Sequence, residues 1–339
     1  MRKILTILLA SCLLLGLLSG CQEEEAEATQ VTTPPTSEAT ETTAPAEEST
    51  EPEEVLEETE EPSPLNTKVL RSEDPELKVD FILLALNPEG PFLSEGVTFN
   101  ETGADALIQW LMTEQAQTLI GEYGLETYGE PAFTMPEGVQ TFSGWLPRAT
   151  EENKTIHLMV ADSLEETGLL DVLLPVFEET YGYEVDVQTA SATGAITMAK
   201  LAMYDLVLTE TSNAAETFVS DGYARPVGKY EDETLTLCAM EYLLCGPKND
   251  PAKAADCETI QDAFAAIAAG EHRFLSRGDD SSAHKLEQSL WEASPEGESW
   301  YISVGTEMGP LLVMNEFEGG YVLTDKLTWL QFYQAEGII

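Results

Sequence analysis

Basic residues and cysteines are scarce in this chain. Its 339 residues carry 16 Lys and Arg against 62 Asp and Glu, a formal net charge of −46 at pH 7. A field of that sign repels phosphate backbones and anionic headgroups, which excludes nucleic acid and acidic lipid surfaces as partners. Beyond residue 66 the cysteines are Cys238, Cys245 and Cys257, an odd number that cannot all pair. Cys238 and Cys245 are expected on one strand, about 23 Å apart at roughly 3.3 Å per residue, far past the ~7 Å reach of a disulfide. They read as small buried hydrophobes. The histidines His157, His272 and His284 stand at no metal-ligand spacing from them, so neither a metal nor any other cofactor is expected. The long apolar run at residues 4–18 is too short to span a bilayer.

That run follows Arg2 and Lys3 and leads into Leu17-Leu18-Ser19-Gly20-Cys21, the charged, apolar and small-residue order of a secretory signal. A cysteine at the cut resembles the lipobox of bacterial lipoproteins. The resemblance implies a signal peptide over residues 1–21, lipidation of Cys21, and an extracytoplasmic protein tethered to the cell membrane by its acyl anchor. Residues 22–66 are Glu, Thr, Pro, Ala and Ser without a single Lys or Arg. Such a composition buries too little apolar surface to offset ordering entropy, and its charges repel one another, so an extended disordered stalk is expected.

From residue 67 onward, strand and helix patterns alternate. Strands are expected at 79–86, 155–161, 185–189, 205–209, 237–245, 273–276 and 321–323. Helices are expected at 104–123, 167–181, 194–203, 213–220, 262–269, 282–292, 308–316 and 325–334. The helix at 167–181 lines up Leu169, Leu170, Leu173, Leu174 and Phe177 on one face despite Pro175. Alternation of this kind predicts an α/β protein with mainly parallel sheets.

Five blocks carry a resemblance to a known family. They are the run from Thr167 (TGLLDVLLPVF), Phe218 to Tyr223 (FVSDGY), Gly246-Pro247-Lys248, Phe274 to Asp280 (FLSRGDD) with Ser281 and His284, and Trp300-Tyr301-Ile302-Ser303. In this order they resemble the substrate-binding proteins of bacterial tungstate ABC importers. The resemblance implies a two-lobed, type II periplasmic-binding-protein fold, a small oxyanion such as tungstate or molybdate in the interlobe cleft, an ABC permease and ATPase as partners, and no enzymatic activity. The segment that closes the family's chain stands here in front, as Arg71 to Leu77, Phe81 to Pro88 (FILLALNP), the stretch from Trp110 to Ile120, and Tyr128 to Phe133. This order implies a circular permutation, with the family's termini joined through residues 134–154. The solute-binding domain is then 67–339, with one lobe at about 80–239 and the other at about 240–339 plus 67–79.

Within that resemblance Arg277 corresponds to a ligand contact, since a guanidinium beside a helix start can grip an oxyanion that the helix amides also face. Ser163, Thr193, Ser281 and Ser282 are the other candidate contacts. Helix N-termini at Thr167-Gly168, Thr193-Gly194 and Ser281-Ser282 are expected to converge on the cleft. The pocket motifs nonetheless depart from the family. Its hydroxyl-rich run is replaced by Val160-Ala161-Asp162-Ser163-Leu164-Glu165-Glu166-Thr167-Gly168, and Ala283 and Glu307 take other family positions. An aspartate about 4 Å from an anion costs roughly 4 kcal/mol per unit of like charge at an effective dielectric near 20. Either Asp162 points away or the ligand is not a simple dianion. A second function therefore stands beside the first, a surface sensor or capture protein with a cleft remodelled for another small molecule.

Other motifs weigh less. Arg277-Gly278-Asp279 spells a cell-adhesion tripeptide that the family motif already accounts for. Ser281 and His284, three residues apart at a helix start, do not form a nucleophile relay. Asp162, Glu165 and Glu166 match no calcium loop; Glu165 and Glu166 favour the positive end of the following helix.

Overall fold

The computed structural model describes residues 65–92, 98–138 and 140–334. Cys21 and residues 22–64 of the expected stalk lie outside them. Leu65 and Asn66, expected in the stalk, belong to the folded body. Leu65 is buried and Lys248 N donates to Asn66 O at 3.0 Å.

Strands β1 (Thr67–Arg71) and β2 (Lys78–Leu86) come first, joined by a 3-10 turn whose Asp74 cap accepts Glu76 N. Helices α1 (Glu101–Leu111), α2 (Glu114–Gly121) and α3 (Leu125–Tyr128) follow, then the short β3 (Phe133–Thr134). The single helix expected over 104–123 is therefore broken. Thr113 adopts an extended conformation and its side chain caps α2 by accepting Ala116 N, a bond that competes with continuing the helix.

The next stretch alternates as β4 (Thr155–Ala161), α4 (Asp162–Glu165), α5 (Leu169–Tyr181), β5 (Glu184–Ala190), α6 (Ala192–Ala199), β6 (Leu206–Glu210), α7 (Asn213–Ser220) and β7 (Ala224–Arg225). Then come β8 (Leu235–Pro247), α8 (Ile260–Ala269), β9 (Phe274–Ser276), α9 (Ser282–Leu290), β10 (Tyr301–Ser303), α10 (Met308–Glu318), β11 (Val322–Asp325) and α11 (Lys326–Gln334).

The sheet runs β1-β8-β2-β6-β4-β5, with β11 and β3 also on β8 and β7 on β2; β9 and β10 form a parallel pair. Its central strands are mixed rather than mainly parallel. β4 pairs in parallel with β5 and β6, whereas β2 is antiparallel to both β6 and β8. Every pairing of β2 and β8 is antiparallel, which a reading of alternating elements alone does not reveal.

β8 organises the two lobes. Its first part, Leu235 to Glu241, pairs with β2 and β3, and its second part, Tyr242 to Pro247, pairs with β11 and β1. The chain thus crosses between lobes at Glu241–Tyr242 and again between β1 and β2. Glu241 ties the crossings together, since its carboxylate accepts the backbone N–H of Glu73. One core packs α1, α5 and the inner faces of β2 and β8, and continues into Phe264, Phe274, Leu311 and Phe332 of the second lobe. A second, smaller core of Ile82, Leu84, Val207, Ile196 and Phe218 covers the other face of the first lobe's sheet.

Candidate functional site

A cavity of about 420 Å³ lies where β8 crosses between the lobes. Met240 and Tyr242 line it from β8. Asp162, Ser163, Glu166 and Thr167 line it from the first lobe. Across from them stand Arg277, Ser281 and Ser282, then Glu307 and Met308 at the start of α10, and Asp325, Leu327 and Thr328 at the start of α11. Strand ends and helix starts converge here because the β–α turns of both lobes face the crossing strands, the usual place for ligands in open α/β sheets.

The local reasons are capping residues. Ser281 accepts His284 N at 3.3 Å and starts α9, which places Ser282 and Ala283 on the wall. Asp325 accepts Thr328 N at 2.8 Å and the Thr328 hydroxyl at 2.7 Å, starting α11. The tight α4 turn follows β4 directly, and Asp162 Oδ1 accepts Ser163 N at 2.8 Å. Asp162 lines the cavity.

The cavity collects four of the six expected positions' hydroxyls and charges only in part. Ser163, Arg277, Ser281 and Ser282 line it. Cys21 lies outside the described residues, and Thr193 is exposed on α6, away from the lining. Ser191, not Thr193, caps α6 by accepting Gly194 N, so the helix starts two residues before the expected Gly194 and turns Thr193 outward. Thr167 is also unavailable as a helix-start donor. Its hydroxyl donates to Leu164 O at 2.6 Å and accepts Leu169 N, while Gly168 caps α5 with φ +74°.

Arg277 reaches the cavity already paired. Its Nε donates to Asp279 Oδ2 at 2.9 Å and its Nη2 lies 2.7 Å from the same oxygen. Burial alone pushes the Asp279 carboxyl up, but hydrogen bonds from Ser281 and the guanidinium hold it below the usual carboxylate range. The tripeptide is thus folded on itself rather than displayed. The Ser281–His284 pair forms no relay, because His284 Nδ1 accepts Asp280 N at 3.1 Å.

Glu210, at the end of β6, escaped the sequence reading. It is 7% exposed, and Ser163 Oγ donates to its Oε1 at 2.5 Å. Ser282, from the opposite lobe, also lowers the same carboxyl. Burial raises the Glu210 carboxyl, and the two serines pull it back. An internal carboxylate therefore takes one of the hydroxyls expected to hold an external oxyanion. The available signal was an acidic residue at the C-terminal end of a buried strand, where ligand-binding positions gather. Glu166 is likewise raised, first by burial, then by the neighbouring Asp162, Glu307 and Glu165 charges against the lowering effect of Arg277.

Residues 148–338 match the PBP superfamily domain, and the chain belongs to that superfamily. A tungstate-binding protein TupA of Peptoclostridium acidaminophilum is 35% identical over 196 residues, 56% of this chain and 65% of that protein. A protein of Haloferax volcanii, named as an ABC transporter anion-binding protein, is 34% identical over 191 residues, 56% of this chain and 54% of its own length. The chain thus spans between half and two thirds of the relatives it matches. Among solved structures, the tungstate-binding TupA of Desulfovibrio alaskensis is 28% identical, covering 54% of this chain and 72% of that one with a TM-score of 0.45.

Proposed function

We propose that this chain is the extracytoplasmic solute-binding component of an ABC importer, lipid-anchored through Cys21, which takes its solute in the cavity between the lobes. The observation that carries the reading is a cavity built on the crossing strand β8 and walled from both lobes, so that a bound solute bridges them. The order of the blocks, with residues 71–133 ahead of 155–334, supports a circularly permuted version of the tungstate-binding fold. It divides the chain into a leader over 1–21, a stalk, and a solute-binding domain with lobes at about 80–239 and 240–339 plus 67–79.

The names of the relatives and the presence of Arg277, Ser281 and Ser282 on the wall support an oxyanion as the solute. The second reading, a cleft remodelled for another small molecule, is favoured by the ion pair that occupies Arg277 and the carboxylate that occupies Ser163. Thermal-shift measurements with tungstate, molybdate, sulfate, phosphate and cationic solutes separate the two, because a solute bound only by the folded state raises the melting temperature. Stabilisation by tungstate or molybdate alone supports the oxyanion. Stabilisation by another class supports the remodelled cleft, and no shift with any small solute overturns solute capture itself.

A further inference from the structure

The walls of the cavity are oppositely matched to an anion. Asp162 and Glu166 stand on the first lobe and Glu307 and Asp325 on the second, against one basic lining residue, Arg277, which pairs with Asp279 at 2.7 Å and also favours the charged forms of Glu166 and Asp325. Neither the Glu166 nor the Glu307 carboxylate has an ion-pair or hydrogen-bond partner among the described residues, and both open to solvent at the cavity wall. Charges of one sign on facing lobes oppose closure, and a cation between them converts that repulsion into attraction.

A second feature points to a ligand independently of the acidic walls. Tyr242 is 3% exposed on the crossing strand and lines the cavity, yet its hydroxyl has no hydrogen-bond partner among the described residues. A hydroxyl on a buried side chain that meets no protein partner beside a cavity offers a ligand a donor or acceptor. Met240, Met308 and Leu327 give the cavity an apolar surface beside it. At about 420 Å³ the space falls in the range of organic-ligand pockets, roughly 300–1,000 Å³, and exceeds what one compact tetraoxoanion fills.

We propose that the cavity takes a short aliphatic diamine, one ammonium held by Asp162 and Glu166, the other by Glu307, with the methylene spine over Met240, Tyr242 and Leu327. Each ammonium then meets a carboxylate as a charge-assisted hydrogen bond, and the phenol ring of Tyr242 presents an electron-rich face to the cation. Glu210 has a separate part, since it accepts the Ser163 hydroxyl from within and removes that donor from the set open to an anion. The inference rests on the reading of this cavity as the solute site and names the class of solute.

Titration calorimetry with 1,4-diaminobutane, butylamine and sodium tungstate tests it on the wild-type protein and on Glu166→Gln and Glu307→Gln. Both substitutions are at exposed positions, so the fold is retained. The expected result is saturable binding of one diaminobutane per chain, weakened about tenfold or more in either variant and about tenfold or more for butylamine, with no tungstate binding. Absence of diaminobutane binding overturns the proposal. Equal binding by wild type and variants also overturns it, because the amine then sits on the acidic outer surface. Tungstate binding without diaminobutane binding overturns the diamine and leaves solute capture standing, whereas a failure of every small solute in the thermal-shift panel overturns both.

Discussion

Glu210 and Glu287 illustrate what a single buried carboxylate does in this molecule. Glu287 is 2% exposed, and its Oε1 accepts Trp291 Nε1 at 2.8 Å and the Tyr301 hydroxyl at 2.9 Å. Burial raises the carboxyls of both glutamates above the ordinary glutamate value, and hydrogen bonds only partly reverse it. A folded-state pKa above the unfolded one contributes stability that is fully present below the unfolded value, about 4.3, and is lost as pH rises through the raised one. Melting temperature followed by circular dichroism should therefore fall from mildly acid to neutral pH. Glu287→Gln, which keeps an acceptor for Trp291 and Tyr301, should flatten that fall, with its advantage over wild type growing as pH rises. Ser163→Ala should act oppositely on Glu210. It removes the donor at 2.5 Å from a buried carboxylate and should cost about 1–3 kcal/mol in urea denaturation at neutral pH. At this scale Ser163 and Arg277, singled out in the sequence as ligand contacts, both line the cavity. It could not show that each already holds an internal carboxylate, because Glu210 and Asp279 approach them through the fold.

Loops and caps decide which elements reach the cavity. Gly278 sits at φ +63°, and a Cβ built there would meet Ser303 Oγ at 1.9 Å. Gly278→Ala should therefore displace the β9–α9 loop that carries Arg277, and lower stability by about 1 kcal/mol or more, read by chemical denaturation. α8 starts from a reciprocal cap, Thr259 accepting Asp262 N while Asp262 accepts Thr259 N. Thr259→Ala should cost about 1 kcal/mol in the same measurement, since it leaves one helix-start N–H without its acceptor. Most elements of the second half were legible from periodicity, α7 and β4 with the bounds expected of them. The break at Thr113 was not, because the apolar stripe runs through it and only the cap geometry separates α1 from α2.

Across the whole molecule, β1 ties the first described residues to β8 and to α10. Thr67 pairs with Pro247, Glu316 Oε2 accepts Thr67 N at 3.0 Å, and Arg71 Nη2 donates to Glu258 O at 3.1 Å. A chain shortened to begin at Leu65 should melt as the full chain does, whereas one beginning at Glu73 should melt several degrees lower, with the loss centred on the second lobe in hydrogen exchange. Anchoring is tested at the same scale. Cys21→Ser should abolish lipid labelling and free the protein from the membrane fraction, and labelling equal to wild type would sink the anchor.

Composition and periodicity by themselves determined the α/β class, the buried cysteines of β8 and the acidic character, because these depend on residue type and local spacing. Only the tertiary structure decided how the cleft is charged. Asp162 and Glu166, at the two ends of α4, lie more than 130 residues from Glu307 and Asp325, and the two pairs act together because β8 changes lobes at Glu241–Tyr242 and brings α4 and the starts of α10 and α11 around one cavity. Charge acts through space over several ångströms, whereas a sequence pattern reports only what lies within a few residues.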